Sequence, residues 1–207
     1  MTAFDNLPET PALDPADLKA ADTIIVFDTE YTAWDGSLAR GWSGPGEFRE
    51  IVQIGAVRLD TATFEESGAL DVIVRPVMNP ALSDYFKDLT GLTDDRIRAE
   101  GVTLAEGVDR FREFIGVTQL VLANGNDLRV IDWNCRYLEM ACTLPPERFR
   151  NIRPMLQDLL AGADPDFSSH TLAEAVGEPV TGRAHDGLAD ARSIAAAFRV
   201  LRRNGRL

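Results

Sequence analysis

Cysteine and histidine are scarce in this chain, with two of each and no Cys-x-x-Cys. A structural zinc site has almost nothing to be built from, so any metal is expected to be held by oxygen. Cys135 and Cys142 lie in a stretch that reads as one helix, two turns or roughly 10 Å apart, too far for a disulfide. Both are expected to be core thiols. Long apolar runs are also missing, and none approaches the ~20 residues that a membrane helix requires. The opening residues, MTAFDNLPETPALDPADLKAAD, carry neither a basic start nor an apolar segment. They do not read as a signal peptide, and a cytoplasmic location is expected. Positive charge is the third shortage: 21 Lys and Arg face 33 Asp and Glu, a net charge of −12. That balance argues against long electrostatic contact with duplex nucleic acid and restricts any nucleic-acid substrate to a few phosphates.

A chain of 207 residues suits one globular domain. Residues 1–21 are expected to form a flexible N-terminal extension ahead of a domain spanning 22–207. TIIVFDTEY (23–31) is a β-branched and aromatic run ending in polar residues, the pattern of a buried strand. The Gly-, Trp- and Ser-rich stretch 34–48 is too long for a hairpin and reads as a binding loop. EIVQIGAVRLD (50–60) and ALDVIVRP (69–76) predict two further strands, which with the first suggest an antiparallel meander. Short helices broken at Gly91 are expected next, then an amphipathic helix with Leu104, Val108, Phe111 and Ile115 on one face. TQLVLAN (118–124) predicts a fourth strand, and 128–144 a helix stopped by Pro145 and Pro146. A short fifth strand is expected within 148–154, and two short helices near 155–161 and 171–176, the latter with a capping box from Thr171 and Glu174. A last helix runs from Gly187 to Arg203. A meander followed by alternating helices and strands places the chain in the α/β class.

The carboxylates carry the chemical signal. Asp28 and Glu30 are two apart at the polar end of the first strand, so both side chains point to one face and can share a cation. A solvated strand end is the plainer reading of that pair alone. Asp127 follows the fourth strand and opens a helix, which is also what a capping aspartate looks like. In a mixed sheet, ligands gather where strands end and helices begin, so Asp28, Glu30 and Asp127 have a place to converge. His185 precedes Asp190 by five residues; on a continuous helix the two would point about 140° apart. They serve one site only if His185 lies on the turn before the helix, which Gly182 and Gly187 permit. Together these residues make a two-metal phosphodiesterase set: hard cations held by oxygen activate a water and steady the leaving oxygen, while a neutral histidine takes the proton.

The order Asp-x-Glu, Asp, His-x4-Asp resembles the DEDDh branch of the DnaQ-like 3′-to-5′ exonucleases over about residues 22–200. The three motifs are FDTEY, NGNDLRVI and HDGLAD. DTEYTAWDGS, EIVQIGAV, NPALSDYFKDLTGLT and NDLRVIDWNC are similar to the Eri-type and KapD-like subgroup, whose better-known members trim RNA 3′ ends. The resemblance implies an RNase H-like fold: a five-stranded mixed sheet, three antiparallel strands followed by two parallel ones, flanked by helices. It implies two Mg2+ or Mn2+ ions per site, with Asp28, Glu30 and Asp190 on one, Asp28 with substrate phosphate on the other, and Asp127 ligating through water or directly. It makes His185 the general base. Thr29, Tyr31 and Leu92 match positions that cradle the terminal nucleotide, Trp34 lies in the matched stretch, and Trp42 is a further stacking candidate. Where the subgroup usually has Trp-Gly before its second aspartate, this chain has Ala123-Asn124-Gly125-Asn126.

The expected substrate is therefore a single-stranded 3′ end, RNA or short oligonucleotides favoured, cut to 5′-mononucleotides, with no membrane partner and a monomer or homodimer as the assembly. Three alternatives stand beside it: a DNA 3′ exonuclease of the proofreading or repair type, a non-catalytic nuclease-like binding module, and an HD-type phosphohydrolase built on His185-Asp186. Eight arginines, at 148, 150, 153, 183, 192, 202, 203 and 206, are candidates for a basic rim, with plain exposed charge as the blander reading.

Overall fold

The computed structural model describes residues 9–160, 167–179 and 181–207. Its central strand is β1 (Thr23–Tyr31), whose β-branched and aromatic side chains suit burial on both faces. β1 pairs antiparallel with β2 (Ile51–Asp60), and β2 pairs antiparallel with β3 (Glu66–Ile73), which is the expected meander. On its other side β1 is parallel to β4 (Val121–Ala123), and β4 to β5 (Phe149–Asn151). The order is β3-β2-β1-β4-β5, the five-stranded mixed sheet that the resemblance implied.

The helices are α1 (Pro15–Ala20), α2 (Asp84–Thr90), α3 (Asp94–Glu100), α4 (Leu104–Ile115), α5 (Asp127–Tyr137), α6 (Arg153–Leu159), α7 (Leu172–Ala175) and α8 (Gly187–Arg203). Ser83, Thr93 and Thr103 start α2, α3 and α4 by accepting the backbone N–H three residues on. Each such cap contributes ~1 kcal/mol. α4 and α5 cover the sheet face that carries Ile25, Phe27, Ile54 and Ala56. There the Phe27 ring lies 5.0 Å from Phe111 and 5.5 Å from Phe149. α8 covers the opposite face, packing Ile194, Phe198 and Leu201 against Ile24, Val26, Val57 and Leu59. Strand alternation then puts Asp28 and Glu30 under α8, in line with Ile24 and Val26. Among the described residues no helix is long and apolar enough to cross a membrane.

Three expectations need correction. Residues 9–21 are not a loose extension: Leu13 and Leu18 are buried, and the segment lies along the edge of β5. The Leu13 N–H donates to the Asn151 carbonyl at 2.9 Å, and the Asn151 N–H to the Pro11 carbonyl at 2.7 Å. Pro11 offers its carbonyl at this sheet edge and Pro15 opens α1, so neither stands in a linker; residues 1–8 lie outside the described part. Second, α5 stops at Tyr137, with Glu139 in left-handed backbone (φ 53°) and the Met140 N–H folding back to the Cys135 carbonyl at 2.9 Å. Cys142 is therefore returned to Cys135 instead of standing two turns along a helix. The Cys135 thiol donates to Cys142, lowering the Cys142 pKa to about 7 and raising that of Cys135. Third, the capping box is not formed, since Thr171 makes no side-chain cap and its hydroxyl donates to the Ser168 carbonyl at 2.9 Å.

Candidate active site

Two glycines let α8 approach the sheet. Gly55 of β2 pairs with Asp28 of β1 and faces α8, where a Cβ would stand 2.1 Å from the backbone of Gly187 and Leu188. A Cβ at Gly187 would lie 3.2 Å from the Asp28 carbonyl oxygen. With no side chain at either position, the first turn of α8 drops beside Asp28, and Asp190 lands on the carboxylates of β1. Gln53, fully buried, pins that turn. Its Nε2 donates to Asp71 Oδ1 at 2.8 Å and to Asp186 Oδ2 at 3.3 Å, and its Oε1 accepts the Gly187 N–H at 3.0 Å. Asp186 caps the helix by accepting the Ala189 N–H at 3.0 Å. His185 lies on the turn just before α8, as its spacing required, with φ 60°. Gly55→Ala is expected to push α8 away, costing about 2–3 kcal/mol as an overpacked contact. A thermal melt should show it as a loss of roughly 5–10 °C; an unchanged melting temperature would show that the close approach is not required.

Asp127 is the first residue of α5 and reaches back to β1. Its Oδ1 accepts the Thr29 N–H at 3.1 Å and the Thr29 hydroxyl at 2.7 Å. Both donors are available because β4 stops at Ala123 and leaves this end of β1 without a neighbour on that side. Thr29 thus positions Asp127. On the facing side the Ser169 hydroxyl donates to Asp28 Oδ1 at 2.8 Å. Asn124 Nδ2 reaches the Phe167 carbonyl at 2.7 Å and Ser169 Oγ at 3.4 Å. Asn126 Oδ1 accepts the Thr10 N–H at 3.3 Å. The two asparagines that replace the subgroup's Trp-Gly are tethers for neighbouring segments.

Ligand oxygens of Asp28, Glu30 and Asp190 lie within 4.8 Å of one another. Burial, then the charges of Asp127, Glu30 and Asp190, hold the Asp28 pKa well above the ordinary carboxylate value. Burial, then Asp190 and Asp127, do the same to Glu30. Asp190 is pushed up to about 7, mainly by burial, against a lowering hydrogen bond from the His185 backbone. Burial also raises Asp127, opposed by the two bonds from Thr29. So much like charge in a closed space fits a hard divalent cation, which oxygen donors favour. Without one, the folded state keeps protons that the unfolded chain releases near pH 4. The sign follows: stability from these groups is full below pH ~4 and is lost as pH rises toward and past about 7, the Asp190 value. In a chelator the melting temperature is expected to fall across that window, and a divalent cation should remove the slope by taking the place of the protons. A flat profile in chelator would contradict the charge crowding.

The cleft around these groups has a volume of about 540 Å³ and is lined by Asp28, Glu30, Asp127, Asp190 and His185 together with Thr29, Tyr31, Trp34 and Trp42. Tyr31 and Trp42 lie 5.5 Å apart, and the Arg49 guanidinium sits 4.0 Å over the Trp42 ring. Leu92 does not belong to this wall. It is 1 % exposed in a separate cluster with Val52, Phe86 and Ile97, and Leu89 lines the cleft in its stead. Leu38 in its loop and Tyr85 in the first turn of α2, both exposed apolar side chains lining the cleft, went unseen because an isolated exposed Leu or Tyr carries no pattern. Of the eight candidate rim arginines only Arg153 lines the cleft. Arg150, Arg192 and Arg203 pair with Asp17, Glu66 and Glu178. Arg148 and Arg183 bind backbone carbonyls. The five-stranded sheet excludes the all-helical HD-type reading. His170 and His185 meet in this cleft with ring centroids 4.5 Å apart.

The RNase_T family model, described as Exonuclease, matches residues 25–198. The 3'-5' exoribonuclease 1 of Homo sapiens is 28% identical over 191 residues, which cover 84% of this chain and 50% of that protein. ERI1 exoribonuclease 2 of Homo sapiens is 26% identical over 206 residues, covering 87% of this chain and 28% of that protein. This chain thus spans about half the length of these curated relatives, or less. Among solved structures, the nuclease domain of 3'hExo, a DEDDh family member bound to rAMP, superposes with a TM-score of 0.72. It is 25% identical, with 90% of this chain and 95% of that one covered. Exonuclease I, at 18% identity and a TM-score of 0.66 over 88% of this chain and 41% of its own, shares the fold.

Proposed function

Because this chain belongs to the RNase_T exonuclease family, we propose that it hydrolyses the last phosphodiester of a single-stranded 3′ end, releasing 5′-mononucleotides one at a time, with RNA favoured over DNA. The observation that carries the reading is the convergence of Asp28, Glu30, Asp127 and Asp190 with His185 in one cleft. All five residues that the chemistry requires are in place, which speaks against a non-catalytic binding module. Asp28, Glu30 and Asp190 would hold one Mg2+ or Mn2+, and Asp28 with a substrate phosphate oxygen a second, Asp127 ligating through water or directly. Such cations, when bound, lower the pKa of a water and offset charge on the leaving oxygen.

His185 as the free base accepts the water's proton, and the water oxygen bonds to phosphorus. The bond from phosphorus to the 3′ oxygen of the penultimate nucleotide breaks, that oxygen takes a proton from solvent, and a 3′ hydroxyl is left on the shortened strand and a 5′ phosphate on the released nucleotide. Thr29 keeps Asp127 turned to the cleft, and Ser169 steadies Asp28. Trp34, Tyr31, Leu38 and Tyr85 offer apolar surface for an unpaired base, sequence-tolerant as successive cleavage requires. The name exoribonuclease carried by the curated relatives supports the choice of RNA.

Matched RNA and DNA 3′ tails and a dinucleotide, labelled at the 5′ end and incubated with magnesium or manganese, test this. The expected result is a single-nucleotide ladder that is faster on RNA. No cation-dependent shortening of any substrate would reject the exonuclease, and an equal or faster DNA ladder would reject the sugar preference.

A further inference from the structure

His170 sits on the 3-10 turn Ser169–Thr171 and has no part in the hydrolysis described above. One ring nitrogen of His170, one of His185 and a carboxylate oxygen of Asp190 nevertheless all lie within 4.8 Å of one another. Both imidazoles are half-buried on the cleft wall, and Asp190 is buried beneath them. We propose that His170, His185 and Asp190 form a binding site for a borderline divalent cation, with Zn2+ as the type case, and that occupation of this site switches the nuclease off. The inhibitory half rests on the roles given above to His185 and Asp190.

The donor set is what separates this site from the neighbouring carboxylates. Two imidazoles and one carboxylate suit zinc, which binds them at ~2.0–2.2 Å and leaves a fourth position for water. Magnesium gains little from nitrogen and stays with oxygen. Ligand atoms of a tetrahedral zinc stand ~3.4 Å apart at those bond lengths, so the three side chains need close by only an ångström or so. Asp28 and Glu30, which share the oxygen cluster with Asp190, add negative potential that draws a cation in. A zinc ion seated here would use the lone pair with which His185 accepts a proton, and it would engage the Asp190 carboxylate. Zinc binding and hydrolysis would therefore exclude each other.

Zinc affinity of the full chain is to be measured by competition with a chromogenic chelator in excess magnesium, for wild type, His170→Ala and His170→Gln. Folding is checked by thermal melts and by the rise in melting temperature on adding magnesium, which draws on the carboxylates. Wild type is expected to bind one zinc at least ~10-fold more tightly than either variant. X-ray absorption should show two imidazoles on zinc in wild type and one in His170→Gln. The zinc concentration that halves magnesium-dependent release should rise by the same factor. Equal zinc affinity in folded His170 variants, or a zinc ion without imidazole ligands in wild type, would overturn the proposal. Were the chain not a nuclease there would be no release to inhibit, yet the titration and the absorption spectra would still decide whether the site exists.

Discussion

Asp28→Asn is expected to abolish cation-dependent nucleotide release, a loss of ~1000-fold or more for one removed cation ligand, and at the same time to make the cation-free protein more stable at pH 8. The amide keeps the shape of the carboxylate and still offers an oxygen to the Ser169 hydroxyl. It removes the charge that burial and the neighbouring Asp127, Glu30 and Asp190 oppose, the reason the Asp28 pKa stands well above normal. Deprotonating that carboxyl without a counter-ion costs folding energy that the variant no longer has to meet. The gain in melting temperature on adding magnesium should shrink, because one ligand and its charge are gone. Activity and stability therefore move in opposite directions, which general damage to the fold cannot imitate. Retained release would remove Asp28 from the cation site, and a lower melting temperature in chelator at pH 8 would contradict the crowding of charge.

The sheet and the identity of the carboxylates were legible because they follow local rules. Alternation along β1 fixed Asp28 and Glu30 on one face, and the His-to-Asp spacing required a turn at His185, which is where the chain turns. Long-range packing was not legible. Nothing local says that Gly55 and Gly187 face each other, yet their missing side chains set the depth at which α8 brings Asp190 to the sheet. Gln53 looks like any polar residue in a strand pattern, and only the fold shows it tying β3, Asp186 and the first turn of α8 together. Thr29 lines the cleft, and only the fold shows that its N–H and hydroxyl hold Asp127. Leu92 was misplaced because one turn of chain separates a core side chain from one that lines the cleft, and Leu89 is the latter. The N-terminal segment was misjudged because strand pairing at a sheet edge needs few side-chain signals, and Leu13 and Leu18 are isolated in a polar, proline-containing stretch.

His185→Asn should lower turnover by ~100- to 10,000-fold, the usual contribution of general base catalysis, while cation binding survives. Asparagine is the informative replacement because position 185 has φ 60°, a left-handed conformation that asparagine tolerates better than most residues. The backbone N–H that donates to the Asp190 carboxylate is kept, so Asp190 should stay in place. Magnesium should therefore still raise the melting temperature of the variant, unlike that of Asp28→Asn. The pH dependence supplies the second readout. A histidine acts as base only when neutral, so with saturating cation the wild-type rate should climb as pH rises and the imidazole gives up its proton. In His185→Asn that limb should vanish, leaving a low rate that follows only the concentration of hydroxide. A merely structural role for His185 predicts a different pair of results: a weakened response to magnesium and a residual rate that keeps the wild-type pH profile. Unchanged turnover in the variant would reject the general base assignment outright, leaving the four carboxylates as a cation site whose proton acceptor lies elsewhere.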